Sequence, residues 1–145
     1  MQTFITDHNI SNTAECLDYR RLGKQRVEAI QIARCLLLSE TKLTTNGWAN
    51  HSAVKMWKGY ESYLIKVYLY DIMLEWVKRG YKNEKCYKHY KYLLTLVNDD
   101  EPVKPYWIDD NFIEAHRSNL IAKYEEFYLP LWPDTQRNLP YVWPV

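Results

Sequence analysis

Tyr60-Glu61-Ser62-Tyr63-Leu64-Ile65-Lys66-Val67-Tyr68-Leu69-Tyr70-Asp71-Ile72-Met73-Leu74-Glu75-Trp76-Val77-Lys78-Arg79 runs without a proline or a glycine. Tyr63, Val67, Tyr70, Leu74 and Val77 are spaced 4-3-4-3, so on a helix they form one continuous stripe. Lys78 and Arg79 fall in the last turn, where cations suit the dipole, and Gly80 supplies the stop. The segment predicts a helix over 60–79. The same periodicity extends outward. Toward the N-terminus, a short helix succeeds Asn50-His51-Ser52, carries Val54, Met56 and Trp57, and ends near Gly59. Ser39 to Gly47 is polar and turn-like. Before it, Thr13 to about Leu38 reads as a helix with Leu22, Val27, Ile30, Ala33 and Leu37 near one face. Ser11 or Asn12 is its expected cap, with Glu15 completing a capping box. Gly23 marks a kink, a tight packing point or a break.

Toward the C-terminus, Glu84 to Val97 is helical, and Pro102 and Pro105 interrupt the chain. Asp109 or Asp110 then caps a helix through about Lys123. No stretch alternates as a strand does, so the expected fold is all-α, with about four to six helices in one domain over 1–145. An extended lead precedes the helices. The Trp- and Pro-rich tail from Tyr128 holds too many large apolar groups to hang free, so it is expected to pack back on the domain.

Hydrophobic residues make up 47% of the 145, which excludes a disordered chain. The net charge of +1 argues against binding nucleic acid through bulk charge, yet it leaves room for a local basic face. Cys16, Cys35 and Cys86 are odd in number and show no C-x-x-C pairing, so neither zinc nor a disulfide framework is expected. They suit reduced thiols in a cytoplasmic compartment. Met1 to Asn12 is no signal peptide, and no apolar run spans a bilayer.

Chemistry concentrates in Leu17-Asp18-Tyr19-Arg20-Arg21-Leu22-Gly23-Lys24-Gln25-Arg26-Val27-Glu28. On a helix Lys24 and Glu28 share one face, and Arg21 and Gln25 a neighbouring one. Arg21, Lys24 and Arg26 could clamp a phosphate. Glu28 could act as acid, base or partner of a developing cation. The bland alternative is a solvated charged face with weak surface pairs. His51 lies on a loop just before a helix, where function often sits, and His116 precedes Arg117 on a predicted helix. A lone histidine is more often structural. No His pair stands at i, i+4, and no Gly-rich phosphate loop or deaminase signature is present.

Several of these runs resemble a known family. Leu17-Asp18-x-x-Arg21-Leu22-Gly23-Lys24-Gln25-Arg26-Val27-Glu28-Ala29, Gly47-Trp48-x-Asn50-His51-x-Ala53-Val54-x-Met56-Trp57 and Glu75-Trp76-x-x-Arg79-Gly80-Tyr81 are similar to the small proteins grouped with pyrimidine-dimer DNA glycosylases. The stretch from His116-Arg117-Ser118-x-Leu120 to Leu139-Pro140-Tyr141-Val142-Trp143-Pro144 resembles one branch of that grouping. The resemblance implies an all-α fold and an enzyme that cuts the glycosidic bond of a damaged pyrimidine, then the abasic site. It implies a nucleophilic α-amine on an N-terminal Thr, a Glu on the first long helix and phosphate-holding arginines. An α-amine is partly neutral near pH 7–8 and can form a Schiff base. This chain departs from the pattern. Gln2 should block removal of Met1, and the catalytic Glu falls on Arg21. Arg20 matches a phosphate-binding arginine, Lys24 stands for another, and His51 matches a histidine of the repair enzymes.

Three functions are compatible with these residues. The first is a DNA glycosylase or glycosylase/AP lyase acting on a damaged or modified base. Glu28, His51 and Met1 would be catalytic, with Arg20, Arg21, Lys24, Gln25, Arg26, Asn50, His116 and Arg117 holding the nucleic acid. The nucleophile would be water, the Met1 amine or Lys24. The second is a non-catalytic binder of a nucleotide or nucleic acid, and the third a protein-interaction module using the tail. The expected partner is DNA or a nucleotide ligand; no cofactor, metal or membrane enters any of them.

Overall fold

The computed structural model describes residues 2–38, 50–98 and 100–145, and its regular structure is helical, with no strand among them. Helix α1 is Ile10–Cys16, α2 is Tyr19–Leu38 and α3 is Ser52–Lys55. A continuous helical run over 61–78 comprises α4 Glu61–Tyr63, a π-helical segment Leu64–Leu69, and α5 Tyr70–Lys78. Helix α6 is Glu84–Leu96, α7 is Asp110–Lys123 and α8 is Glu125–Tyr128. This is slightly more than four to six helices, for two reasons: the predicted helix from Thr13 is two, and α8 adds a turn. The predicted turn over Ser39 to Gly47 lies outside the described residues. No helix among the described residues is long and apolar enough to cross a membrane.

The break between α1 and α2 falls at Leu17-Asp18, six residues before Gly23. Leu17 is fully buried there, and the Tyr128 hydroxyl accepts from the Asp18 N–H at 2.9 Å while donating to its carboxylate. Asn9 caps α1, accepting from the N–H of Ser11 at 2.9 Å and Asn12 at 3.4 Å. The predicted cap at Ser11 or Asn12, and its box with Glu15, is thereby replaced. Gly23 is a packing point inside an unbroken α2. A Cβ there would come within 2.9 Å of the Trp76 ring.

The predicted stripe on the run over 61–78 is only partly right. Tyr63 is buried, but Tyr70, Leu74 and Val77 are 45%, 55% and 52% exposed. The buried face is instead Leu64, Ile65, Tyr68, Leu69 and Ile72. Those positions follow i, i+1, i+4, i+5 and i+8, one coherent helical face about opposite the predicted stripe. The run has apolar residues nearly all round, so its spacing alone does not select between the two faces. On α2, Val27 likewise faces out, while Gln25 and Glu28 are buried.

Buried apolar residues form one cluster reaching from Phe4 to Trp132. Its centre holds Trp57, whose indole meets Trp107 edge-on at 4.9 Å, and Phe112. The tail packs back as its composition requires. Trp132 stacks on Tyr128 at 5.4 Å. Leu139 is strapped to α7, its N–H donating to Ser118 Oγ and its carbonyl accepting from Asn119.

The lead is more deeply placed than an extended N-terminal segment suggests. Gln2, Thr3, Phe4, Ile5 and Thr6 are all buried, yet they pair with no strand. Buried backbone N–H and C=O groups must find partners, so side chains supply them. The N–H of Phe4 donates to Gln25 Oε1 at 3.0 Å, that of Ile5 to His116 Nδ1 at 2.9 Å, and that of Thr6 to Thr13 Oγ1 at 3.1 Å. The carbonyl of Gln2 accepts from Gln25 and that of Thr6 from Arg117 Nε at 2.8 Å. This demand decides what many of the predicted site residues do.

Candidate active site beside Glu28

Glu28 projects from α2 toward the lead and is nearly buried, with 9% of its side chain exposed. Its Oε2 accepts from the N–H of Gln2 at 3.2 Å and from Gln25 Nε2 at 3.1 Å. Its Oε1 faces Lys24 Nζ at 3.7 Å, across one helical turn. One oxygen is thus held from behind while the other has a single, loosely placed cation.

Gln25 is the keystone behind that carboxylate. Its Nε2 donates to Gln2 O at 2.9 Å and to Glu28, and its Oε1 accepts from Phe4 N and lies 2.6 Å from the Tyr68 hydroxyl. The amide has two donors and two acceptor sites, and all are used. Tyr68 is fully enclosed; burial and the neighbouring Glu28 charge both push its hydroxyl pKa well up, which keeps it a neutral donor.

A cavity of about 450 Å³ opens on this group, lined by Arg20, Arg21, Lys24, Glu28, Lys123 and Tyr141 among others. A hollow of about 480 Å³ beside it shares Arg20, Arg21 and Lys123, so the two make one trough with a cationic rim. Arg21 gives one nitrogen to Asp18 at 3.2 Å. Lys24 is 73% exposed at its side chain, and Arg20 lies in the open beside Tyr19. Arg20, Arg21, Lys24 and Lys123 line this trough with two nearly buried carboxylates, Glu28 and the Asp18 that pairs with Arg21, and the excess of cations attracts polyanions. Burial pushes the Tyr141 hydroxyl pKa up as well.

His51 does not line the trough itself; it is linked to it through Trp143, whose ring lies 5.7 Å from that of the lining Tyr141, and the Glu28 charge acts on it. It caps α3, its Nδ1 accepting from Ala53 N at 3.0 Å, and its ring meets Trp143 edge-on at 5.9 Å. Burial lowers its pKa, and the cap needs Nδ1 unprotonated, so both favour the neutral ring carrying its proton on Nε2. Asn50, one residue earlier, is exposed. Met1 lies outside the described residues.

Three predicted residues stand elsewhere. Arg26 is two positions from Lys24, hence about 200° around the helix, and it faces the opposite flank of α2. His116 is completely buried between Phe4, Phe112 and Tyr141, its Nδ1 spent on Ile5; burial drives its pKa down to about 3. Arg117 holds Thr6 O and lies over Trp132 in a separate hollow with Glu114. The lead has claimed the last two. In return the fold adds Gln2, Lys123 and Tyr141, which sequence reasoning missed. Nothing local marked Lys123 and Tyr141; they reach the trough because the last turn of α7 and the tail come round to the first turns of α2, where both residues line the cavity.

The family described as pyrimidine dimer DNA glycosylase has a model that matches residues 1–89, which is more than half of the chain and includes α2, the lead and His51. No curated protein and no solved structure matches the chain.

Proposed function

The chain belongs to the pyrimidine dimer DNA glycosylase family, and on that premise we propose that it releases a damaged pyrimidine from DNA with the deoxyribose seated against Glu28. The observation that carries this reading is the buried carboxylate with one oxygen braced by the lead and the other turned to a cation-rimmed cavity. In the proposed reaction the C1′–N bond breaks and its electron pair leaves with the base. The positive sugar that forms is stabilised by Glu28 across Oε1, by the logic of glycoside hydrolysis. Water then bonds to C1′ and its proton passes to the Glu28 carboxylate. Arg20, Arg21 and Lys24 hold the flanking phosphates, and the neutral His51 offers its Nε2–H to the departing base. Asn50 is a further phosphate contact in this scheme.

An amine route is a variant of the same proposal. The Gln2 nitrogen held on Glu28 is three covalent bonds from the Met1 α-amine. That amine could attack C1′ in place of water and form a Schiff base after the sugar opens. A non-catalytic nucleic-acid binder is the competing reading. It is supported by Arg21, which stands in an ion pair with Asp18 where the resemblance places a catalytic carboxylate.

The test is base release from ultraviolet-irradiated duplex DNA and from a panel of modified pyrimidines. Glu28→Gln keeps both braces of the lead, because a glutamine oxygen accepts the same two bonds. It is expected to lower the rate by about 100-fold or more while binding persists. A wild-type chain that binds but releases no base from any of these substrates refutes catalysis and leaves the binder. Borohydride trapping on an abasic site then separates the routes, since only an amine yields a covalent adduct.

A further inference from the structure

A second groove, of about 580 Å³, runs along the other flank of α2 against the start of α6. Arg26, Lys82 and Lys85 line it, and among the described residues none of the three is ion-paired, although Glu84 lines the same groove. Arg26 is positioned by neutral groups. Its Nη1 donates to Asn83 Oδ1 at 2.8 Å, and its guanidinium lies 4.2 Å over the Trp76 ring. Helix α6 also begins here, with no side chain capping its first amides. The charge of this groove is therefore available to an outside anion.

Aromatic rings join this groove to the trough beside Glu28. Trp76 stacks on Tyr81 at 4.3 Å, and Tyr81 faces Tyr19 at 6.3 Å with the rings 25° apart. Arg20, at the rim of the trough, lies 5.7 Å over Tyr19. The file Arg26, Trp76, Tyr81, Tyr19, Arg20 thus passes from one flank of α2 to the other. Trp76 is locked in place by Gly23 beneath it and by its Nε1 donating to Lys82 O at 2.8 Å. Tyr19 and Tyr81 remain 51% and 41% exposed.

We propose that the far groove is a second strand-binding site. A single-stranded segment of nucleic acid places phosphates on Arg26, Lys82 and Lys85, stacks a base on the exposed Tyr81 and Tyr19 rings, and continues into the trough beside Glu28. Cations at both ends of a run of partly exposed aromatic rings match the repeat of a strand, which alternates charge with flat bases. A free phosphate would use the cations and ignore the rings. The inference rests on the nucleic-acid reading of the trough and adds the path by which a strand reaches it.

The experiment compares fluorescence anisotropy of a labelled oligothymidylate with that of an abasic oligomer of equal length, at several salt concentrations. The double variant Lys82→Gln/Lys85→Gln is expected to bind both oligomers about tenfold more weakly or worse, with a salt slope shallower by about 1 to 2. Tyr81→Leu is expected to weaken the oligothymidylate about tenfold and leave the abasic oligomer unchanged. Wild-type affinity and slope in the lysine double variant, with binding lost in Arg20→Gln/Lys24→Gln, overturns the far groove and leaves the trough standing. Oligomer binding that neither double variant alters overturns both. Equal weakening of the two oligomers by Tyr81→Leu removes the stacking step.

Discussion

Glu28 and Arg26 stand two residues apart on α2, and their surroundings differ in kind. On the near flank the polar side chains face inward and are consumed. Gln25 makes every bond it can, Glu28 spends one oxygen on the lead, and His116 and Arg117 on α7 hold two more of its backbone groups. On the far flank Arg26 has an amide, a ring and a thiol for neighbours, and burial alone lowers its pKa while Cys86 offsets it. The difference teaches that a polar residue's role here depends on whether the buried lead reaches it first. A segment of buried backbone without a strand partner draws on every donor and acceptor nearby. Cations beyond its reach keep their charge for a ligand.

The largest way to break this comparison is through His116. Its pKa in the fold is about 3 against an ordinary 6.5, because burial disfavours the charged ring. A depressed pKa means that the unfolded chain binds the proton first. The stabilisation is complete above pH about 6.5 and is lost as pH falls toward about 3. At most about 1.4 kcal/mol goes per pH unit, so the whole window is worth on the order of 4–5 kcal/mol. His116→Asn offers an oxygen to Ile5 N and cannot titrate. Urea unfolding at several pH values should show a flatter acid limb for that variant. An identical limb would mean that His116 is not what the lead depends on in acid.

Gln25→Leu is the next test. It fills similar space but leaves Phe4 N, Gln2 O and part of Glu28 without partners in the interior. The expected loss is about 3 kcal/mol, read from the urea midpoint, with faster amide exchange at Phe4. A loss under about 1 kcal/mol would show that the lead finds other partners. The smallest effect belongs to Gly23→Ala. Alanine favours a helix by about 1 kcal/mol, but its Cβ would press on the Trp76 ring at 2.9 Å, which costs roughly 1–3 kcal/mol. The net expectation is a fall in Tm of a few degrees. A rise in Tm would show that Trp76 yields and that the aromatic file is softer than its packing implies.

The helices were legible because 3.6-residue periodicity, caps and glycine stops are local signals. The run over 61–78, α6 and α7 lie close to where their patterns place them. Which face goes inward was harder. The run over 61–78 has apolar residues nearly all round, so its spacing supports more than one stripe, and only packing chose Leu64, Ile65, Tyr68, Leu69 and Ile72 over the predicted one. The site divides along the same line. Lys24 and Glu28 meet as their spacing requires, since i, i+4 contact is a property of one helix. The helical angle alone assigns Arg26 to the other flank, a signal already present in the sequence.

Composition and periodicity determined that this chain is all-α, that its tail returns to the core, and that α2 bears its densest chemistry. Those properties arise from hydrophobic spacing and helix geometry, which act over a few residues. Only the tertiary structure decided that Gln25 and His116 serve the lead, that Lys123 and Tyr141 join the trough, and that Trp76 closes on Gly23. Each of those depends on which distant segment arrives, and a buried backbone amide takes the nearest acceptor whatever its sequence separation.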